Sequence, residues 1–108
     1  MMRLIVAAAM VLVLTEAALA LSPAAQRGLV FVKTNCSGCH AIGAAGPSPL
    51  PIAPPFRTLH ERYPVENLEE SLAEGIVTGH PTMPQFKLDP GEIDDVISYL
   101  KSLEKHGQ

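Results

Sequence analysis

Cys36-Ser37-Gly38-Cys39-His40 is the stretch on which the reading of this 108-residue chain turns. On helical backbone, residues three apart share a face, so the two thiols point the same way and an imidazole follows directly. Four chemistries use such a pattern. A thioredoxin-like pair uses C-x-x-C in a βαβ setting, and no segment of this chain alternates as a strand. Zinc needs four ligands, and with two cysteines the set would require His40 and a distant His60, His80 or His106. A plain disulfide suits an exported chain but gives His40 no role. The fourth chemistry is haem attachment, in which both sulfurs form thioethers to one edge of the porphyrin and the histidine binds iron through a ring nitrogen. Gly38 is expected to keep the crowded gap between the cysteines free of a side chain.

Outward from the motif, three helices can be read. Ser22-Pro23 offers a capping hydroxyl and a proline at the first helical position, predicting a helix that runs to about Asn35. Leu68 and Leu72 lie one turn apart within a second stretch, Glu66 to Glu74, and Gly75 suits the residue that ends it. Asp89 caps the third, Pro90 opens it and Glu92 favours its positive end. Ile93, Val96, Ile97, Leu100 and Leu103 then form one apolar stripe. The fold class is therefore all-α. Between the first two helices, Gly43 to Pro55 carries Pro47, Pro49, Pro51, Pro54 and Pro55, which suit extended backbone and break helices and sheets. A second loop, Ile76 to Leu88, holds Gly79, His80, Pro81, Met83 and Pro84. Two such loops in so small a unit point to a large apolar ligand between them.

Composition agrees. Met1-Met2-Arg3 makes a short basic start, Leu4 to Leu14 is unbroken apolar sequence, and Ala18-Leu19-Ala20 offers small residues for a signal peptidase. A membrane span needs about 20 apolar residues, and Thr15 and Glu16 cut this run short. Residues 1–20 are accordingly expected to be a cleaved secretory signal and 21–108 the folded domain, periplasmic and without stable membrane insertion. The remainder holds seven Lys+Arg against ten Asp+Glu. That balance argues against nucleic acid as a partner, because phosphate binding needs a cationic surplus. With no Trp, 5% aromatics and ten prolines, protein side chains alone make a thin core for a unit of this size.

In these features the chain resembles the class I bacterial cytochromes c. Gly28 and Phe31 precede the pentapeptide, and Ala53-Pro54-Pro55-Phe56, Thr82-Met83-Pro84 and Tyr99-Leu100 follow in the family's order, spanning about Gln26 to Leu103. The resemblance implies one covalent haem c slotted between helices, with Cys36 and Cys39 as attachment points. It also implies a first helix crossing the last where Gly28 and Phe31 meet Tyr99. The proline carbonyl of the Ala-Pro segment is expected to accept from the free ring nitrogen of His40; this would be Pro54, with the adjacent Pro55 as the alternative. Met83 is the distal ligand the resemblance implies, and it is the only methionine left once Met1, Met2 and Met10 depart with the signal. A thioether opposite imidazole stabilises ferrous iron and raises the potential. His80, three residues away, is the competing ligand and would give a bis-histidine iron of lower potential; His60 and His106 read as surface residues.

With both axial positions filled by protein, outer-sphere electron transfer remains. The expectation is a monomeric one-electron carrier, not an enzyme, that docks transiently on a redox donor and a redox acceptor. Two competing readings are a haem subunit of a periplasmic dehydrogenase or oxidase, and a sensor or peroxidase-like protein in which Met83 leaves the iron.

Overall fold

The two long helices among the described residues start where side chains occupy otherwise unpaired backbone groups. In the computed structural model, which describes residues 21–76 and 83–104, Ser22 accepts from the Ala25 amide through Oγ at 3.0 Å. Pro23 then opens helix α1, Pro23–Asn35. Asp89 and Glu92 exchange bonds, Glu92 N to Asp89 Oδ1 at 2.8 Å and Asp89 N to Glu92 Oε1 at 3.1 Å. This capping box starts helix α3, Pro90–Glu104. Helix α2 covers Leu68–Glu74 and ends at Gly75, whose φ of 102° favours glycine. The expected Glu66 start of that helix is instead a 3-10 turn, Val65–Asn67, following Pro64, and a further 3-10 segment, Phe56–Glu61, follows Pro55. No strand occurs among the described residues, and the all-α class holds. The expected signal segment, His80 and His106 lie outside the described residues.

The frame is the crossing of α1 and α3. A Cβ on Gly28 would sit 2.0 Å from the Asp95 carbonyl oxygen and 2.8 Å from Tyr99 Cβ, so the two helices meet at backbone distance. Glycine costs helix propensity of about 1 kcal/mol, and close approach is what it supplies in return. Ala25 and Val32 on α1 pack with Ile93, Val96, Ile97, Tyr99, Leu100 and Leu103 on α3, all buried. Every member of the apolar stripe expected in the last helix is therefore in the core. Arg27 Nε braces the crossing from outside, donating to both Asp95 carboxylate oxygens at 3.1 and 3.2 Å. At the far end Lys101 Nζ meets Glu66 Oε1 at 2.6 Å, tying α3 to the turn before α2. Both pairs are solvent-exposed on at least one side and contribute little individually.

Candidate cofactor site

The Cys36–His40 motif sits in a turn just beyond α1. Cys36 is the C-cap of the helix, with its amide on the Val32 carbonyl at 2.8 Å. The Cys36 carbonyl then accepts from Cys39 N at 3.2 Å and His40 N at 3.0 Å, so the helical spacing of the thiols persists past the helix end. Ser37 Oγ donates back to the Lys33 carbonyl at 2.6 Å. Both cysteines are free thiols and both are half-buried. Burial pushes the Cys36 thiol up to about 11, with the adjacent Cys39 adding to the effect. A Cβ at Gly38 would meet no protein atom within 4 Å other than its chain neighbours, and the residue borders a cavity. No group of three or more His, Cys, Asp or Glu side chains suited to a metal ion is gathered among the described residues, so they do not assemble the zinc arrangement.

His40 is positioned by the proline-rich loop. Its Nδ1 lies 2.8 Å from the Pro54 carbonyl oxygen, which chooses between the two adjacent prolines. A carbonyl only accepts, so Nδ1 carries the proton and Nε2 keeps the lone pair that can bind a metal. The same segment fixes the ring from a second direction, since Phe56 stacks on it with centroids 4.7 Å apart and planes tilted by 38°. Nothing in the sequence spacing singled out this contact. The loop is in turn laced to the motif: Leu50 N donates to the Cys39 carbonyl at 3.0 Å, Phe56 N to the Ala41 carbonyl at 2.9 Å, and Ala41 N to Ser48 Oγ at 3.0 Å. Tyr99 on α3 reaches across to give its hydroxyl proton to the Ile42 carbonyl at 2.5 Å. Burial raises the pKa of that phenol above its ordinary value.

These elements enclose a cavity of about 330 Å³. Cys36, Cys39, His40 and Pro54 line one wall, and Met83, Pro84 and Phe86 another. Val32, Leu59, Val96 and Leu100 contribute from the core, and Leu68 and Leu72 from α2. The wall bearing Met83 is tied to the rest by Leu88 N on the Leu72 carbonyl at 2.8 Å and Ile76 N on the Phe86 carbonyl at 3.2 Å. The five residues singled out from sequence, Cys36, Cys39, His40, Pro54 and Met83, thus all face one space. His60, expected at the surface, is half-buried in the Phe56–Glu61 turn and does not line it.

An apolar slot, two thiols and an Nε2-available imidazole in one wall, and a thioether in another form the donor set of a protein that holds a covalent haem, which these residues fit. The cytochrome c family model matches residues 25–104. Similar proteins include a cytochrome c-553-like protein of Synechocystis, 34% identical over 85 residues that cover 79% of this chain and 74% of the relative. Another is cytochrome c-552 of Bradyrhizobium diazoefficiens, 30% identical over 84 residues covering 78% and 79%. No solved structure matches the chain at a comparable level. The chain belongs to the cytochrome c family: it is an electron-transfer protein, not an enzyme, and its cofactor is covalently bound haem c with its iron. Among the described residues no helix is long and apolar enough to cross a membrane.

Proposed function

We propose that this protein is a monomeric periplasmic carrier that shuttles single electrons between larger redox proteins, exported by a signal at residues 1–20 that is then removed. Cys36 and Cys39 would hold the haem by thioether bonds, and His40 and Met83 would ligate its iron. When bound, the group supplies a reversible one-electron change at iron. The observation that carries the reading is the His40 Nδ1 contact to the Pro54 carbonyl. It fixes the tautomer that leaves Nε2 free, orients the ring, and makes the imidazole a stronger donor. Met83 supplies a soft sulfur from a segment whose neighbour Pro84 restricts the backbone. Val32, Leu59, Val96 and Leu100 give the slot apolar walls, beside which a charge would be weakly screened.

The test uses the secreted protein expressed with working haem maturation. Expected are a mature chain beginning near residue 21, a mass raised by one attached haem, and a weak near-infrared charge-transfer band in the ferric form. The reduced form should take up carbon monoxide only slowly. A colourless protein with the mass of bare polypeptide overturns the haem assignment. Prompt carbon monoxide binding overturns the carrier and favours a sensor or peroxidase-like role. Stable co-purification with a dehydrogenase would make it a subunit instead.

A further inference from the structure

His40, Ala41 and Ile42 are consecutive, and each is gripped by a different neighbour. The His40 ring meets the Pro54 carbonyl through Nδ1 at 2.8 Å, and the Ala41 carbonyl accepts from Phe56 N at 2.9 Å. The Ile42 carbonyl accepts from the Tyr99 hydroxyl at 2.5 Å. The first two partners belong to the stretch that follows the motif, as do Leu50 N on the Cys39 carbonyl and Ser48 Oγ on Ala41 N. Such bonds give the stretch from Cys39 to Phe56 its shape, but by themselves they do not fix where it stands in the molecule. Tyr99 is different, because it belongs to α3 and lies 57 residues beyond its acceptor in the chain. It pins the segment that carries His40 to the helical frame.

Tyr99 is placed to act as a fixed post. It is buried and stands at the α1–α3 crossing, where a Cβ on Gly28 would come within 2.8 Å of its own Cβ. From there a planar side chain with few rotatable bonds reaches the loop, so its tip has little room to wander. A second bond from outside the stretch, Arg57 Nη1 to the Gly46 carbonyl at 2.8 Å, is open to water and lies further from His40. The bond to Ile42 is partly buried, and removing the donor of such a bond leaves its acceptor unpaired, which costs more than the same loss in water. A carbonyl so stranded regains a partner only by moving, and His40 stands two residues away. Resting on the reading of His40 as an iron ligand, we propose that Tyr99 is a positioning residue for that ligand: its hydroxyl, by holding the Ile42 carbonyl, keeps the His40 ring on Pro54 and so sets the donor strength of Nε2. The ring of Tyr99 joins two helices, and its oxygen aims an imidazole.

The test compares the isotope-labelled ferrous holoprotein with its Tyr99→Phe variant, which keeps the buried ring. The first readout is exchange of the His40 Nδ1 proton with solvent at neutral pH, followed by NMR. That exchange should quicken about three- to tenfold, the span of one lost hydrogen bond. The second readout is the reduction potential, which should rise, because a slackened Pro54 contact makes the imidazole a weaker donor and favours the ferric form less. The sign is opposite to that expected for loss of the Met83 thioether. Leu103→Val is the control for stability alone: it shortens a buried α3 side chain that does not line the cavity, and it should leave both readouts where they are. Exchange and potential unchanged in Tyr99→Phe would overturn the proposal, and so would a Leu103→Val variant that moves both as far. His40 ring protons without the large ring-current displacement of a haem ligand would defeat the ligand reading itself. Displaced ring protons with exchange indifferent to Tyr99 would defeat only the positioning role.

Discussion

The α1–α3 crossing and the Cys36–Phe56 wall are both closely specified, by opposite means. At the crossing the determinants are steric and apolar: Gly28 admits the Asp95 backbone, and a buried stripe from Ile93 to Leu103 fills the seam. In the wall they are polar and local. Backbone amides of Ala41, Leu50 and Phe56 and the His40 ring each find a named acceptor, while prolines restrict what lies between. The difference teaches that the frame is complete as polypeptide, whereas the wall is a socket that gains its core only from the cofactor.

The comparison can be broken most severely at the socket. Replacing Cys36 and Cys39 with alanine should abolish covalent haem and leave a poorly folded chain, because the ligand supplies much of the interior; visible absorbance after denaturing electrophoresis and far-ultraviolet circular dichroism check this. A stable, fully helical haem-free variant would show that the socket does not need its contents. Gly28→Val attacks the frame. With a Cβ already overlapping the Asp95 carbonyl, the loss should reach or exceed the upper end of the overpacking range of about 1 to 3 kcal/mol, measured by denaturant titration. Met83→Ala leaves the frame alone and should lower the potential by on the order of 100 mV, read by potentiometry. An unchanged potential would move the distal role to His80.

The smallest expected effect links the two regions. Tyr99→Phe removes the bond from the frame to the Ile42 carbonyl and should cost about 1 kcal/mol at neutral pH. Its pH dependence carries a sign. The folded phenol titrates above the unfolded value of about 10, so the unfolded chain ionises first. Stability is intact below that pH and falls as pH rises through it toward the folded value. The phenylalanine variant should lack this part of the alkaline loss, so the two stability curves converge above pH of about 10.

The same contrast explains what the sequence disclosed. α1 and α3 were legible because Ser22-Pro23 and Asp89-Pro90 mark their starts and a single stripe runs through α3. The start of α2 was misplaced because Val65–Asn67 closes as a 3-10 turn after Pro64, and the Phe56–Glu61 turn was missed because six residues are too short to show a period. Cys36, Cys39 and His40 fall within five residues, so their grouping was readable from spacing alone. Met83 and the proline carbonyl came from family resemblance, and the choice of Pro54 over Pro55 awaited backbone direction, which spacing does not encode. The stacking of Phe56 on His40 joins residues sixteen apart and left no periodic trace.

The backbone contact at Gly28 has a bearing on speed as well as on shape. At that point no side chain lies between the two helices to slide, and such close packing adapts in discrete steps or not at all. Oxidised and reduced forms should therefore share one framework, and little atomic rearrangement has to accompany each gain or loss of an electron. A glycine remote from the redox chemistry should thereby help to keep the reorganisation cost of that chemistry low.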